Sequence, residues 1–365
     1  MTKKMKQFNS LKKTTRVDFA TYFGVIAAFV IVTVLQSNGS LKRSVIGLLV
    51  PICCYMSMAV SLNLTVGILG ELSLGHAGFM SVGAFSGIVA AMSLQQAIPN
   101  GIARLAVAML VGAVCAGVAG VIVGVPVLRL QGDYLAIVTL AFGEIIKNIF
   151  NILYVGVDAE GLHFSITNEA ALHLGEGGIS ILQGPMGATA NVKLSTFTVG
   201  TVLVLVSLFV VLNLVHSRAG RAIMAMRDNR IAAESVGISV TKYKMIAFVV
   251  SAALAGAAGT LYGCSQTTFA ATKFDFNTSI LILVFVVLGG LGNMWGSVIA
   301  AAALTILPEA LRQFSNYRML VYAIVLILVM LATNNPTLKG FFSRLFHRER
   351  ADAPHAAAVK GGGKQ

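Results

Sequence analysis

Long apolar runs alternate with short polar segments along most of this chain. The runs of about twenty residues are Phe19–Leu35, Ser44–Val66, His76–Leu94, Gly101–Val125, Tyr134–Leu153, Ser195–Val215 and Met245–Gly263, and a shorter one is Tyr317–Leu331. A helix of about 20 apolar residues crosses the hydrocarbon core of a bilayer. The pattern therefore predicts an all-α fold, a polytopic transmembrane helical bundle.

Two glycine-rich segments interrupt the apolar pattern. The first break is GILGELSLGHAGF at Gly67–Phe79, and the second break is LGGLGNMWG at Leu288–Gly296, inside the apolar stretch Ser279–Leu307. Each half of that stretch is about a dozen residues long, which favours a re-entrant or tightly broken pair of helices. We expect about ten helical segments. Backbone groups freed at membrane depth must face protein or water, so both breaks are candidate walls of a path.

Composition supports a membrane protein and excludes several other classes. Hydrophobic residues make up 56% of the 365 residues, charged residues 11%, and the mean hydropathy is +0.83, far from the balance of a soluble domain. The net charge of +13 comes mainly from the two tails and one central loop. Basic residues in cytosolic segments explain this distribution, so no nucleic-acid partner is expected. The four cysteines lack CxxC spacing, so neither a metal site nor a disulfide framework is expected.

The charges also predict the domain organisation. A basic cytosolic tail spans residues 1–18, the transmembrane domain spans 19–333, and a basic, low-complexity cytosolic tail spans 334–365. The first apolar run lacks a small-residue cleavage pattern and is expected to remain as a span. Residues 154–194 are acidic and predict a periplasmic or extracellular loop, whereas residues 216–244 are basic and predict a cytosolic loop. Both termini would then be cytoplasmic.

The central loop, residues 216–244, is predicted to contain a short helix between two spans. Helical spacing would place Arg227, Arg230 and Glu234 on one arc. The opposite arc would carry alanines that allow another protein to approach closely: Ala222, Ala225, Ala232 and Ala233. Gly237 is the predicted helix stop, since glycine adopts the left-handed cap conformation without a Cβ penalty. We therefore expect a docking surface here.

Four segments of the chain resemble one family. They are LNLTVGILGELSLGHAGFMSVGAF at Leu62–Phe85, GDYLAIVTLAFGEI at Gly132–Ile145, SRAGRAIMAMRDNRIAAESVGI in the central loop and VLGGLGNMWGSVIAAA at Val287–Ala302. In order and spacing they resemble the second inner-membrane permease subunit of branched-chain amino-acid ABC importers. The resemblance covers Ser44 to about Leu331. It implies ATP-driven uptake of branched-chain, apolar amino acids by alternating access, with residues 19–333 as the permease domain.

The resemblance also implies partners and a docking motif. The partners would be a sister permease, two ABC ATPase subunits and a periplasmic substrate-binding protein, besides membrane lipid. Residues that match the family's ATPase-docking motif are Gly220, Arg221, Arg227, Ala232, Ala233, Glu234 and Gly237. Arg230 departs from the family, which often has an acidic residue at that position. The chain has no G-x-x-x-x-G-K-[ST] phosphate loop, so ATP and magnesium are expected on the partner ATPases and no cofactor in this chain. No catalytic residue is assigned.

Candidate residues of a translocation path are polar groups and glycines at membrane depth. They are Ser73, His76, Glu144, Lys147, Gly289, Gly290 and Asn293. Glu144 and Lys147 are spaced i, i+3 on one helix face, so they would pair and either line the path or hold two helices in register. His76 would line the path or cap a broken helix. Asn63 and Asn293 would bond either neighbouring helices or the substrate.

Two alternative functions stay open on the sequence alone. Permeases of this kind for urea and short amides are the closest alternative, and VGVDAEGLHF at Val155–Phe164 departs from the glycine-rich sequence expected of close relatives. That departure leaves the substrate open. A different class is a secondary transporter driven by an ion gradient, in which Glu144 and Lys147 would couple protons or sodium.

Overall fold

The computed structural model describes most of the apolar part of the chain. The described residues are 21–39, 43–128, 132–158, 161–175, 178–189 and 193–312, with further helical residues at 320–321, 323–324 and 326–327. The predicted tails 1–18 and 334–365 and most of the predicted span Tyr317–Leu331 lie outside them. Met1–Arg312 form one compact unit and Gln313–Gln365 form a second. The helical bundle belongs to the first unit.

Helices dominate the described residues of the first unit. They are α1 (Thr21–Ser37), α2 (Arg43–Asn63), α3 (His76–Ser93), α4 (Gly101–Val127), α5 (Asp133–Ile152), α6 (Phe197–His216), α7 (Arg218–Asp228), α8 (Arg230–Ser235), α9 (Val240–Gly263), α10 (Phe276–Gly289) and α11 (Met294–Ala310). A π-helical turn, Leu64–Leu69, continues α2. Among the described residues, six helices are long and apolar enough to cross a membrane, namely α3, α4, α5, α6, α9 and α2 with its π-helical turn. The predicted helical bundle is confirmed.

The stretch Ser279–Leu307 folds as the predicted pair of short helices. α10 has 14 residues and α11 has 17, so they are about 21 and 26 Å long at a rise of about 1.5 Å per residue. Both lengths are below the ~30 Å thickness of a hydrocarbon core. The turn between them contains Gly290 and Gly292, both with positive φ, a conformation that favours glycine. The two helices therefore form a tight hairpin.

Helix α9 lies at the centre of the bundle and packs against α3 and α4. The surface of α4 that faces it carries a small residue at every fourth position: Gly112, Ala116, Gly120 and Gly124. A Cβ added to Gly112 would overlap Thr260, and one added to Gly120 would lie 2.8 Å from the Cβ of Ala252. Small residues at this spacing let helices approach closely in a membrane. Close backbone contact therefore holds α4 against α9.

A small antiparallel sheet, which the hydropathy pattern does not predict, lies at one end of the bundle. Its strands are β1 (Tyr154–Val157), β2 (Leu162–Ser165), β3 (Ile179–Gln183), β4 (Ala188–Thr189) and β5 (Thr268–Phe269), in the order β2-β1-β3-β4-β5. Four strands belong to the loop 154–194, whereas β5 follows α9. We call this end the sheet end. The opposite end of α9, where the central loop lies, is the loop end.

Candidate docking and translocation site

The central loop folds into two short helices instead of the predicted single helix. α7 ends at Asp228 and α8 begins at Arg230. Asn229 between them has an extended backbone, and its side-chain oxygen accepts a hydrogen bond from Ala232 N at 3.0 Å, which caps α8. Asparagine is a favoured cap residue because it satisfies a free N–H of the first turn. The sequence of the loop thus encodes a second helix start.

The predicted arc of Arg227, Arg230 and Glu234 is wrong, because the break between α7 and α8 interrupts the helical spacing. Arg230 Nε donates to Glu234 Oε1 at 3.0 Å within α8, whereas Arg227 contacts another element. The predicted alanine face is also wrong. Ala233 is buried, whereas Ala232 beside it is exposed. The loop therefore presents a mixed surface to any partner.

The predicted helix stop at Gly237 is confirmed. Its φ is +85°, and the turn that follows closes with a hydrogen bond from Ile238 N to Ala233 O at 3.1 Å. This bond satisfies a carbonyl group that the end of α8 leaves free. Gly237 therefore fixes the direction in which the chain leaves α8 for α9.

Gly220 and Arg221 attach the start of the loop to the end of α6. A Cβ added to Gly220 would overlap the carbonyl oxygens of Leu214 and Val215. Arg221 Nη1 donates to the carbonyl of His216 at 3.1 Å, and such a contact stabilises a helix C-terminus. The two residues therefore give the start of α7 a close junction with the end of α6.

Two exposed apolar side chains, which are not among the predicted site residues, lie at α8: one within the helix and one directly after it. Ile231 is 80% exposed and Val236 is 76% exposed. The surrounding surface is polar, with Glu234 and Ser235 also exposed. Apolar anchors within a polar rim are typical of protein–protein contacts. Both are visible in the sequence as apolar residues of the central loop, but their exposure is not.

The first glycine-rich break contacts the central loop directly. The π-helical turn ends at Gly70, which has φ +80°. Arg227 Nη1 donates to the carbonyl oxygen of Gly67 at 2.8 Å. The stem of the same arginine lies over Gly70, where an added Cβ would be 2.7 Å from Arg227 Cγ. Arg227 therefore joins α7 to the break by a hydrogen bond and by packing.

An ion pair joins the same break to the start of α9. Lys244 pairs with Glu71, and their side chains are only 7% and 16% exposed. Neighbouring Leu72 is more exposed, at 37%, so the pair sits at the edge of the packed region. Removing one partner would leave the other charge poorly solvated. The first break is thus attached to the loop end of the bundle at two points.

The two glycine-rich breaks contact each other. Asn63 Oδ1 accepts a hydrogen bond from Gly292 N at 2.8 Å, and Asn63 Nδ2 donates to Ser297 Oγ at 2.8 Å. A Cβ added to Gly67 would overlap both Gly292 N and Asn63 Oδ1. The interpretation of Asn63 as a residue that bonds a neighbouring helix is confirmed. Residues 229 positions apart in the sequence thus build one junction.

The predicted path residues of the second break support its turn. Asn293 Oδ1 accepts a hydrogen bond from Gly296 N at 3.3 Å and caps α11. A Cβ added to Gly289 would overlap the backbone of Gly296, and Gly290 has φ +94°. All three predicted residues thus belong to the hairpin turn. Their contact with a substrate stays a prediction.

His76 and Ser73 lie in the packed interior beside the first break. His76 is 2% exposed, and its Nε2 is 2.8 Å from Ser61 Oγ, so it links the start of α3 to α2. Ser73 is 1% exposed, and its Oγ has no hydrogen-bond partner among the described residues. The next residue, Leu74, donates its N–H to Thr139 Oγ1 at 3.1 Å. His76 thus has a structural contact, and its role on a path stays a prediction.

Glu144 and Lys147 form the predicted ion pair on one face of α5, with side chains 35% and 20% exposed. The pair lies within one helix, so it does not itself hold two helices in register. Lys147 also acts on Asp275, the cap of α10. Burial raises the pKa of Asp275, but hydrogen bonds from Thr278 and Asn277 and the nearby Lys147 lower it, with a net lowering.

The family of this chain follows from a match over most of its length. Residues 44–330 match the model of the family described as "Branched-chain amino acid transport system / permease component". The chain belongs to this family. The match includes both glycine-rich breaks, the central loop and the sheet, so the geometry described above is that of a permease. A chain of this family with several membrane-spanning helices is a multi-pass membrane transport subunit.

Two curated relatives of this permease are similar along much of the matched region. The chain is 35% identical over 292 residues to the high-affinity branched-chain amino acid transport system permease protein LivM of Salmonella typhimurium, and 33% identical over 296 residues to LivM of Escherichia coli K12. Each alignment covers 76% of this chain and 66% of the relative. The chain thus spans just under two thirds of the length of these relatives.

Similarity extends more weakly to a sugar permease. The chain is 28% identical over 165 residues to the fructose import permease protein FruG of Bifidobacterium longum, which covers 43% of this chain and 48% of that protein. No solved structure matches the chain. The family is therefore assigned from sequence similarity, and the arrangement of the site comes from this structure alone.

Proposed function

We propose that this permease is the membrane subunit of an ATP-driven importer that moves branched-chain amino acids across the inner membrane. The family match over residues 44–330 carries the proposal, because it runs through the breaks and the central loop in order. Leucine, isoleucine and valine are the expected substrates. The names of the LivM relatives support this substrate class.

The central loop is the proposed docking site for the ATPase subunits. Gly220 and Arg221 attach it closely to α6, and Arg227 attaches it to the first break. Ile231 and Val236 present apolar surface around α8, so α8 would enter a cleft on the ATPase and bury both side chains. ATP and magnesium would be bound and used by two such ATPases.

The proposed orientation follows from charge. The central loop is basic and would lie in the cytosol, with both termini on the same side. The sheet end would then face the periplasm. A substrate-binding protein would deliver the amino acid there, to this chain and a sister permease. ATP binding and hydrolysis below would open the permease pair alternately to either side, with the glycine-rich breaks as the parts that rearrange.

Co-purification tests the ATP-driven part of the proposal. The tagged chain would be isolated from its native membrane as wild type, Ile231→Asp and Val236→Asp. A charge at a buried apolar contact is strongly unfavourable, so ATPase subunits should accompany the wild type and be lost from both variants. Ile166→Asp is a matched control, because Ile166 is 69% exposed and lies in the loop at the sheet end. Absence of any ATPase from the wild type in mild detergent would remove the ABC assignment.

Uptake measurements test the substrate. Membrane vesicles that contain the complex and its binding protein would be supplied with labelled leucine or labelled urea, with and without ATP. ATP-dependent uptake of leucine is the expected result. Uptake of urea alone would replace the amino-acid proposal with the short-amide alternative. Uptake by the purified chain under an ion gradient, without ATPases, would establish the secondary transporter in which Glu144 and Lys147 couple ions.

A further inference from the structure

We propose that Arg227 is a positioning residue that transmits movement of the central loop to the α10–α11 hairpin through Gly67 and Asn63. The inference rests on the proposed function, since an ATPase docked on α8 would supply the movement. It assigns a physical route between the docking surface and the second break. The route has three parts, all of them among described residues: the contact of Arg227 with Gly67, the π-helical turn that contains Gly67, and the contact of Gly67 and Asn63 with the second break.

The first contact joins the loop to the first break. The guanidinium of Arg227 donates to Gly67 O at 2.8 Å, and its side chain is 43% exposed. A hydrogen bond from a charged donor is stronger than a neutral one. The arginine stem also fills the space over Gly70. Because α7 packs against the π-helical turn as well, a shift of α7 would act on the backbone at Gly67.

The second part of the route is the π-helical turn that contains Gly67. This residue lies in the π-helical turn, and residues 71–75 that follow it are outside any helix. π-Helical turns are rare and occur frequently at functional sites. Non-helical backbone lacks the regular ladder of hydrogen bonds that stiffens a helix. The first break can therefore move as a local unit without displacing the whole of α2.

The third part of the route is the contact between the two breaks. Asn63 is fully buried and binds Gly292 N and Ser297 Oγ, each at 2.8 Å. The backbone of Gly292 occupies the space where Gly67 would carry a side chain. The side-chain oxygen of Asn63 lies in the same space, so Asn63 and the backbones of Gly67 and Gly292 pack together at this point. Packed contacts of this kind shift together and do not deform gradually, so movement of Gly67 would displace the hairpin turn.

Lys244 provides a comparison within the same junction. It also binds the first break, through Glu71, but it lies on α9, which is packed between α3 and α4. Arg227 lies on α7, within the loop that would carry the ATPase. The Lys244–Glu71 pair thus attaches the break to the fixed core, whereas Arg227 attaches it to the moving part. Transmission is therefore assigned to Arg227.

The test measures coupling in the reconstituted complex. Proteoliposomes with the ATPases, the sister permease and the binding protein would contain wild type, Arg227→Ala, Arg227→Lys or Arg312→Ala. ATPase binding, ATP hydrolysis and leucine uptake would be measured together. For Arg227→Ala we expect bound ATPases and continued hydrolysis, with uptake per ATP reduced at least tenfold. Arg227→Lys keeps a cationic donor and should recover part of the loss.

Matched variants make the result specific. Arg312 is exposed and pairs with Glu309 beyond the route, so Arg312→Ala should couple as the wild type does. Asn63→Ala should lower uptake per ATP as Arg227→Ala does. The double variant should be little worse than either single one, because residues that act in one chain of contacts are not additive. Independent, multiplicative losses would overturn the route.

Each remaining outcome decides between the two proposals. Normal uptake per ATP in Arg227→Ala would overturn the route and leave the transport function intact. Loss of the ATPases from Arg227→Ala and Arg227→Lys would also overturn it, since Arg227 would then act only in docking. A wild-type complex that neither binds ATPases nor takes up leucine with ATP would instead overturn the proposed function.

Discussion

The two glycine-rich breaks differ in what holds them in place. The first combines a π-helical turn with a non-helical segment, and side chains from α7 and α9 bind it. The second is a four-residue turn between two short helices, and Asn63 of α2 binds it. Similar glycine-rich sequences thus give one break held by side chains from the loop end and another held by Asn63 of α2 and by contact with Gly67.

The largest effect is expected at the contact between the breaks. A Cβ in Gly67→Ala would overlap Asn63 and the backbone of Gly292, so the variant should lose about 3 kcal/mol or more of stability through overpacking. Thermal unfolding in detergent would measure the loss. Gly47→Ala is the control on the same helix, because nothing lies within 4 Å of its added Cβ. It should be neutral or gain up to about 1 kcal/mol; equal losses in both would contradict the contact.

A second effect is expected at the attachment of the first break to α9. Glu71→Ala leaves the amine of Lys244 nearly buried and unpaired, and should cost about 2–3 kcal/mol. Replacing both residues, as Glu71→Leu with Lys244→Met, should restore most of the stability, because no buried charge remains. The same unfolding assay compares the variants. A double variant less stable than Glu71→Ala would show that the pair itself, and not charge burial, stabilises the break.

A smaller effect is expected at the hydrogen bonds by which Asn63 holds the second break. Asn63→Ala removes two hydrogen bonds and leaves the part-buried Gly292 N–H and the buried Ser297 hydroxyl without this partner, at a cost of about 2 kcal/mol. Asn148→Ala is the control, because Asn148 is exposed and its side chain donates to the carbonyl oxygen of Glu144 within the same helix. Hydrogen exchange at residues 289–297 should increase in the first variant alone. Unchanged exchange there would mean that the hairpin is stable without Asn63.

The smallest effect tests the other end of the hairpin. Asp275 caps α10 by accepting a hydrogen bond from Thr278 N at 2.9 Å, so Asp275→Ala should cost about 1 kcal/mol. The pKa of this carboxyl group is lowered in the folded protein, so its charge stabilises the fold above the usual aspartate pKa of about 3.9. This contribution is lost as the pH falls through the lowered pKa. A wild type and an Asp275→Asn variant with the same loss of stability on acidification would contradict this.

The hydropathy pattern predicted the membrane-spanning helices because a backbone that crosses the hydrocarbon core must satisfy its own hydrogen bonds, as a helix does. The hairpin also followed from length, since the halves of Ser279–Leu307 are too short to cross separately. The contact between the two breaks could not be predicted from the local sequence pattern, because Asn63 and Gly292 are 229 positions apart. Likewise, the predicted arc through Arg227 and Arg230 is wrong because Asn229 between them, a good helix cap, starts a second helix.

The sheet escaped prediction for a similar reason. Its strands have two to five residues, too few for a clear alternation. β5 pairs with β4 across a chain separation that includes α6 to α9. Exposure also depends on the fold: Ile223 and Met226 of the central loop are buried, whereas Ile231 and Val236 of the same loop are exposed.

Helix α9 is one continuous helix that runs from the loop end to the sheet end. Its 24 residues extend about 36 Å at a rise of about 1.5 Å per residue, with Lys244 near one end and β5 shortly after the other. Because α3 and α4 pack against this helix, it acts as a spacer of constant length that keeps the sheet end and the loop end apart by slightly more than the ~30 Å hydrocarbon core of a bilayer.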